Sequence, residues 1–168
     1  VLSVFADEIS CATNMSLGIY LGLTKGAYNC IYSHGSEELK ETYLPRFLTG
    51  EWFGTMCLTE AHSGTDLGLI RTSAKPVGDS YNLNGQKIFI SCGEHDLSEN
   101  IIHLVLARLP DSPKGVKGIS LFIVPKFLVN NDGTLGKRNK VKCVSIEEKM
   151  GVHGSPTCVL SFENAEGY

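Results

Sequence analysis

The sequence lacks several features that mark particular classes of protein. No apolar run approaches the roughly 20 residues that a membrane-spanning helix needs, so we expect no membrane span. Lys and Arg are not clustered, and 15 basic residues stand against 18 acidic ones, for a formal net charge of -3. Because nucleic-acid binding normally requires clustered cations that neutralise phosphates, we expect no nucleic-acid partner.

Motifs for metal binding and disulfide scaffolds are also missing. The six cysteines are widely spaced without a CxxC pair, and the five histidines show no HxxxH or HExxH spacing. We therefore expect no metal site. Most of the cysteines lie within apolar runs, which favours free, reduced thiols in a cytoplasmic protein.

Length and composition are typical of a globular chain. The 168 residues suffice for one ordinary domain or for a small β domain with a helical appendage, and 42% of them are hydrophobic. The sequence begins at Val1 within a helical pattern and stops at Tyr168 directly after a strand pattern. We therefore expect it to be part of something longer.

The first third of the chain has helical patterning. Residues Val1 to about Tyr32 carry Ala, Leu, Ile, Met and Gly at helical spacing with few charges, which predicts a largely buried helix. Ser36 is expected to cap a second helix and Gly50 to end it. Pro45 is expected to kink or end that helix near Leu44.

After Trp52 the pattern changes to short β-type runs. Asn84-Gly85, between two alternating stretches, is the strongest short-range hairpin signal and predicts a turn there. Further predicted strands are Leu69 to Lys75, Ile101 to Leu109, Ile119 to Val124, Val141 to Ile146 and Cys158 to Phe162. Two polar stretches, Asp111 to Lys117 and Asn130 to Lys140, are expected to be exposed loops. Without intervening helices the strands predict an antiparallel barrel or sandwich.

One candidate binding loop is MCLTEAHSGTDLG, residues 56–68. The strand Phe53 to Leu58 ends in Thr59-Glu60, whose backbone groups could pair with a flat heterocycle. Ser63-Gly64-Thr65 offers hydroxyls and a glycine that lets amides approach an oxygen closely, as in cation-free pyrophosphate nests. On this stretch alone, an ordinary turn before the next strand is the simpler interpretation.

A second candidate is FISCGEHD, residues 89–96. Phe89 could stack on a planar ring and Ser91 could present a hydroxyl to the edge of that ring. A strand Phe is more often part of the core, so this stretch too leaves both interpretations open. His62 and His95 lie in the two loops, and we assign them no catalytic role because a lone loop histidine is usually solvated or capping.

Together these stretches resemble the acyl-CoA dehydrogenase family. GSEELKETYLPRFLTGEWFGTMCLTEAHSGTDLG resembles the end of its helical N-terminal domain running into the middle β domain, and LNGQKIFISCG resembles its second flavin-contacting segment. The continuation through IEEKMGVHGSPTC looks closest to the longer subgroup that includes 3-methylmercaptopropionyl-CoA dehydrogenase. The resemblance implies an α+β fold, with residues 1–52 ending the helical domain, 53–168 forming an antiparallel β-barrel middle domain, and the C-terminal helical domain absent.

The resemblance also implies FAD as cofactor and assigns eight contacts to it: Met56, Leu58, Thr59, Gly64, Thr65, Phe89, Ile90 and Ser91. Thr59 would face the pyrimidine side of the flavin, Gly64 and Thr65 its pyrophosphate, Phe89 the ring and Ser91 the N5 atom. Thr65 would also lie near the acyl-CoA. The catalytic base of the family is a glutamate in the C-terminal domain, so no catalytic residue is expected in this chain.

The family pattern is not followed everywhere in the first loop. The family commonly has Pro where this chain has Ala61, and Ser where it has Thr65. His62 and Ser63 replace smaller or amide residues. The hydroxyl at Thr65 is kept, so flavin binding remains the expectation.

The activity implied is oxidation of an acyl-CoA thioester to the trans-2-enoyl-CoA, by removal of an α-proton and transfer of a β-hydride to FAD. The implied partners are acyl-CoA, an electron-transfer flavoprotein or another acceptor, and further copies of the chain in a homo-oligomer. We expect this chain alone to be inactive. An acyl-CoA oxidase or flavin monooxygenase on the same scaffold, and a non-catalytic β-barrel interaction module, remain alternatives.

Overall fold

The computed structural model describes residues 2–168 and consists of three helices followed by a β region. The helices are α1 (Leu2–Thr13), α2 (Met15–His34) and α3 (Glu37–Thr49). The strands are β1 (Trp52–Cys57), β2 (Ser73–Val77), β3 (Ser80–Ser91), β4 (Asn100–Arg108), β5 (Ile119–Pro125), β6 (Phe127–Val129), β7 (Leu135–Arg138), β8 (Val141–Ile146) and β9 (Thr157–Gly167). The α+β class predicted from the sequence is confirmed.

The predicted N-terminal helix is divided in two at Asn14. Asn14 is extended (φ -156°), and its side chain accepts a hydrogen bond from the Leu17 amide at 3.2 Å, so it caps α2. Within the described residues the helical segment is not largely buried, because α1 has no buried residue and α2 buries only one side. An apolar composition does not bury a helix unless another element packs on it. Val1 lies outside the described residues.

Helix α3 begins and ends where the sequence predicted, but its proline does not break it. The Ser36 hydroxyl accepts from the Leu39 amide at 3.3 Å, and Gly50 closes the helix in the left-handed conformation, with φ 77°. Pro45 lies inside the helix, so the expected end near Leu44 was wrong. Burial of Leu44 and Phe47 in the core under the helices offsets the hydrogen bond that Pro45 cannot donate.

The main sheet has seven strands in the order β1-β4-β2-β3-β9-β8, with β5 paired to β4. Most neighbours are antiparallel, and the sheet is curled. Two pairings are parallel: β1 runs alongside β4 over its whole length, and β2 meets β4 at one position. One apolar cluster fills the inside of the curl and a second lies between the helices and β1, β4 and β5.

The Asn84-Gly85 hairpin prediction was wrong. Strand β3 continues through both residues, and the turn from β2 falls at Gly78, which has φ 59°. Asn84 instead sits at a register shift opposite Asn164, with which it exchanges hydrogen bonds of 2.9 and 3.0 Å. A Cβ at Gly85 would lie 2.5 Å from the Thr72 hydroxyl, so close approach explains the glycine.

The two predicted polar loops have different outcomes. Residues 111–117 form a mostly exposed connection that ends in a short 3-10 helix, Val116–Gly118. The stretch 130–140 was wrongly predicted as a loop throughout, because β7 lies within it and pairs with β6 in a two-stranded sheet. The Asn130 amide donates to the Thr134 carbonyl oxygen at 2.9 Å and closes the turn.

All six cysteines are unpaired, as the sequence predicted, and Cys57, Cys92 and Cys158 are buried. Within residues 2–168 no helix is long and apolar enough to cross a membrane. The same part of the chain has no group of three or more His, Cys, Asp or Glu placed to hold a metal ion.

Candidate functional site

The two segments picked out from the sequence meet where β1 ends. The Ile88 amide donates to the Thr59 carbonyl oxygen at 2.9 Å. One residue earlier in each segment, the Lys87 ammonium donates to the Leu58 carbonyl oxygen, also at 2.9 Å. Residues 58–59 and 87–88 therefore lie side by side, and the exposed parts of residues 56–65 and 89–91 around this contact form the candidate surface.

The loop after β1 is held by a tight turn at Glu60 to Ser63. These two residues exchange backbone hydrogen bonds of 2.8 and 3.0 Å, and the Ser63 hydroxyl donates to the Asp66 carbonyl oxygen at 2.7 Å. Ser63 is buried, so its hydroxyl serves the turn. Gly64 and Thr65, in contrast, are exposed, and a Cβ at Gly64 would have the Thr59 methyl as its nearest neighbour at 3.8 Å.

Phe89 has an unusual backbone and an unusual exposure. Its φ is 58°, in the left-handed region that costs a bulky L-residue roughly 1–2 kcal/mol. The ladder between β3 and β9 shifts register between Lys87 and Ile90, so the residues between them bulge out of the sheet. The Phe89 side chain is 58% exposed as a result. A strained, exposed aromatic residue is typical of a ligand-contacting position.

The other residues predicted to contact a ligand differ in how far they are exposed. Met56, Leu58, Thr59 and Ser91 are half-buried. Ile90 is 2% exposed and packs in the core inside the curl. The Ile90 side chain therefore cannot face a ligand, whereas Thr59 and Ser91 are partly exposed.

A buried ion pair that sequence reasoning missed lies directly behind this surface. Lys87 is fully buried, and its ammonium lies 2.9 Å from the Glu60 carboxylate. Glu60 also accepts from the Thr72 hydroxyl at 2.6 Å and from the amides of Thr72 and Arg71 at 3.0 and 2.7 Å. The signal was present in the alternation of β3, since Leu83 and Lys87 share its inward face.

Burial and hydrogen bonds determine the protonation states of Glu60 and Lys87. Burial alone would raise the pKa of Glu60, but hydrogen bonds from Thr72, Arg71 and Lys87 outweigh it and hold the pKa below its usual value. Burial lowers the pKa of Lys87, and the Glu60 carboxylate opposes that shift. Because Glu60 is ionised and fully engaged, it is a poor candidate for a catalytic base.

A third segment, also missed, borders the same surface. The Cys92 amide donates to the Pro156 carbonyl oxygen at 2.7 Å, which brings the loop before β9 next to Ser91. That loop also touches α2: the Gly154 amide donates to the Ser16 hydroxyl at 3.2 Å, and the Tyr20 hydroxyl donates to the Gly154 carbonyl oxygen at 3.3 Å. Helix α2 thus contacts the loop that lies next to Ser91.

The histidines occupy supporting positions. His62 Nε2 lies 3.1 Å from the Leu69 carbonyl oxygen, within the loop after β1. His95 packs edge-on against Tyr20 at 4.9 Å between ring centres, and burial lowers its pKa. His103 is fully buried and shares a 2.7 Å hydrogen bond with the Thr55 hydroxyl.

Comparison with known proteins defines the class to which this helix-plus-curled-sheet chain belongs. Sequence models of two domains match it: "Acyl-CoA dehydrogenase, N-terminal domain" over residues 2–51 and "Acyl-CoA dehydrogenase, middle domain" over residues 55–165. The chain belongs to the acyl-CoA dehydrogenase family, as the resemblance of its motifs predicted.

Individual relatives agree with this assignment. The 3-methylmercaptopropionyl-CoA dehydrogenase of Ruegeria pomeroyi is 50% identical over 169 residues, covering 100% of this chain and 29% of that protein. A butyryl-CoA dehydrogenase of Syntrophomonas wolfei is 48% identical over 164 residues, covering 96% of this chain and 27% of that protein. The chain thus spans less than a third of the length of these relatives.

Solved structures share the fold. A glutaryl-CoA dehydrogenase from Mycobacterium smegmatis, solved in complex with FADH2, superposes with a TM-score of 0.70 at 26% identity, covering 90% of this chain and 34% of that one.

Proposed function

We propose that this chain forms the flavin-binding wall of an acyl-CoA dehydrogenase that oxidises an acyl-CoA thioester to the trans-2-enoyl-CoA. The observation that carries the proposal is the Thr59–Ile88 hydrogen bond, which places the two motif segments side by side. We also propose residues 1–52 as the end of the helical domain and residues 53–168 as the middle β domain.

The residues of this surface fit a flavin dinucleotide. Thr65 and Gly64 leave an exposed, uncrowded backbone for the pyrophosphate, and the exposed ring of Phe89 offers an aromatic face. The proposed FAD contacts are Met56, Leu58, Thr59, Gly64, Thr65, Phe89, Ile90 (through its backbone) and Ser91, and Thr65 is also proposed to lie near the acyl-CoA.

FAD, when bound, supplies the acceptor for the hydride that leaves the β-carbon of the substrate. The residues of this chain would bind the cofactor and fix its orientation. The Ser91 hydroxyl would donate a hydrogen bond to N5, the Thr59 hydroxyl and backbone would hold the pyrimidine edge, and Phe89 would shield the flavin ring from water. The amides at Gly64 and Thr65 would hold the pyrophosphate without a cation.

The base that removes the α-proton is proposed to lie outside these 168 residues. Two of the carboxylates near the surface are already engaged: Glu60 by Lys87 and Thr72, and Glu94 by Lys126 and Arg138. By themselves the 168 residues are therefore expected to be inactive. Acyl-CoA, an electron-transfer flavoprotein or another acceptor, and further copies of the same chain are the proposed partners, and the six free thiols favour a cytoplasmic location.

The test is to purify the full-length gene product and record its visible spectrum, then to add a panel of acyl-CoAs without oxygen. We expect a flavin spectrum that bleaches with at least one acyl-CoA, together with formation of the enoyl-CoA. A colourless protein with no affinity for added FAD would contradict the proposal and favour the non-catalytic interaction module. Rapid reoxidation by oxygen, with oxygen consumed during turnover, would instead favour the acyl-CoA oxidase or monooxygenase alternatives.

A further inference from the structure

The Lys87 side chain makes contacts that join the two proposed flavin-contacting segments from behind. Its ammonium donates to the Glu60 carboxylate and to the Leu58 carbonyl oxygen, each at 2.9 Å. Leu58 belongs to the first segment, and Lys87 lies two residues before Phe89 in the second. We propose that Lys87 is a positioning residue of the flavin site, which acts by fixing the Leu58 carbonyl group; this inference rests on the proposed function.

The contact falls where regular strand pairing stops. Strand β1 ends at Cys57, so the carbonyl group of Leu58 lies beyond the β1–β4 ladder. On the other side, the pairing of β3 with β9 is interrupted just after Lys87. Because neither backbone is held there by a continuous ladder, the Lys87 side chain adds to the Ile88–Thr59 backbone hydrogen bond in fixing how the two segments lie relative to each other.

The presence of a lysine at this buried position also supports a positioning role. Replacing a buried ion pair with well-packed apolar side chains is often neutral or stabilising, so stability alone does not require a fully buried lysine. An ammonium has three donors, and it can bond a carboxylate and a carbonyl oxygen at once. Glu60, held by Thr72 and by the Arg71 amide, keeps the charge of Lys87 compensated.

The experiment uses the full-length gene product and separates stability from flavin binding. Lys87→Met removes the donor to Leu58 and leaves Glu60 unpaired. Lys87→Met combined with Glu60→Gln also removes the uncompensated charge. Glu60→Gln alone keeps Lys87 and its bond to Leu58. Phe162→Leu, in the core inside the curl, serves as a variant that lowers stability without removing a group that bonds Leu58.

We expect Lys87→Met to lower the melting temperature and to raise the FAD dissociation constant roughly ten-fold or more, the size of a lost hydrogen bond from a charged donor. In the double variant the melting temperature should recover in part, because the side chain introduced by Glu60→Gln carries no charge but can accept from only one of the Arg71 and Thr72 amides. FAD affinity and the visible spectrum should remain altered. Glu60→Gln and Phe162→Leu should lower stability but change FAD affinity less than about three-fold.

The inference is overturned if FAD affinity recovers together with stability in the double variant, or if Phe162→Leu weakens FAD binding as much as Lys87→Met at an equal loss of stability. If Lys87→Met does not fold, the double variant decides alone, since wild-type FAD affinity in it contradicts the positioning role. A wild-type protein without flavin would overturn the proposed function and this inference together, whereas a flavin-loaded wild type with stability-tracking variants would overturn only the inference.

Discussion

The Ile88 amide donates a hydrogen bond to the Thr59 carbonyl oxygen across 2.9 Å. This bond joins a loop that follows β1 to the middle of β3. It therefore brings the segment that contains Gly64-Thr65 next to the segment that contains Phe89, and all three residues are exposed. The roles proposed for these residues in binding FAD can be tested by replacing one residue at a time.

Ser91→Ala and Thr65→Ala should impair the full-length protein in different ways. Loss of the Ser91 hydroxyl should mainly slow flavin reduction by acyl-CoA, because the proposed partner of N5 is removed. Loss of the Thr65 hydroxyl should mainly raise the FAD dissociation constant. Each effect should amount to about 1–3 kcal/mol if a buried acceptor is left unpaired.

Stopped-flow reduction and FAD titration of both variants measure these effects separately. Equal and negligible changes in both quantities would remove the assignment of both residues.

Gly64→Ala should weaken FAD binding without weakening the fold. The new methyl group would meet only the Thr59 methyl at 3.8 Å, an ordinary contact, so the stability of the apoprotein should stay within about 0.5 kcal/mol of wild type. The same methyl group would obstruct a pyrophosphate that approaches the backbone closely. Isothermal titration with FAD should show at least a ten-fold loss, roughly 1.4 kcal/mol, and unchanged affinity would place the pyrophosphate elsewhere.

Gly54→Ala should destabilise the junction between α2 and β1. A Cβ at Gly54 would lie 2.4 Å from the Ala27 Cβ, so the helix would have to move, at a cost of about 1–3 kcal/mol. Gly151→Ala is the matched control, since its Cβ would meet nothing within 4 Å. Thermal unfolding should show a lower melting temperature for Gly54→Ala alone, partly restored by adding Ala27→Gly. Equal melting temperatures for the two alanine variants would contradict the packing of α2 on β1.

His103 should make the protein less stable in mild acid. Burial lowers its pKa to about 3 in the folded state, against 6.5 for an ordinary histidine. Between these two pKa values His103 is protonated in the unfolded state and neutral in the folded state. Its contribution to the free energy of unfolding is therefore complete above pH 6.5 and is lost as the pH falls towards 3. Between pH 7 and pH 5 the loss should be about 2 kcal/mol.

Urea unfolding at these two pH values, on wild type and on His103→Gln, measures this contribution. The variant should lose about 2 kcal/mol less than wild type over this pH range. Parallel losses in the two proteins would show that His103 does not titrate as described.

Local signals were the ones that the sequence predicted well. Ser36 and Gly50 were recognised as the ends of α3 because a cap depends on neighbouring residues. Pro45 and Asn84-Gly85 were misread because tertiary packing overrode a local preference, through the buried side of α3 and the pairing of β3 with two strands. The parallel pairing of β1 with β4 has no local signal.

The proposed site likewise combines residues that sequence patterns predicted with residues that they did not. The residues proposed to contact the flavin were predicted from motifs that the family shares, whereas Lys87 and Glu60 were missed as a pair. These two residues are 27 positions apart in the sequence. Only the fold brings them together, since no local sequence pattern around either residue indicates the contact. The inward position of Lys87 on an alternating strand could have marked it as unusual.

The structure of the full-length gene product with FAD, determined by crystallography, tests the central claim most directly. The distance between the Ser91 hydroxyl oxygen and flavin N5 decides it. We predict a hydrogen bond, at about 3 Å, with Phe89 against the ring and the pyrophosphate at the Gly64 and Thr65 amides. A flavin bound away from both the loop after β1 and the bulge of β3 would contradict the account.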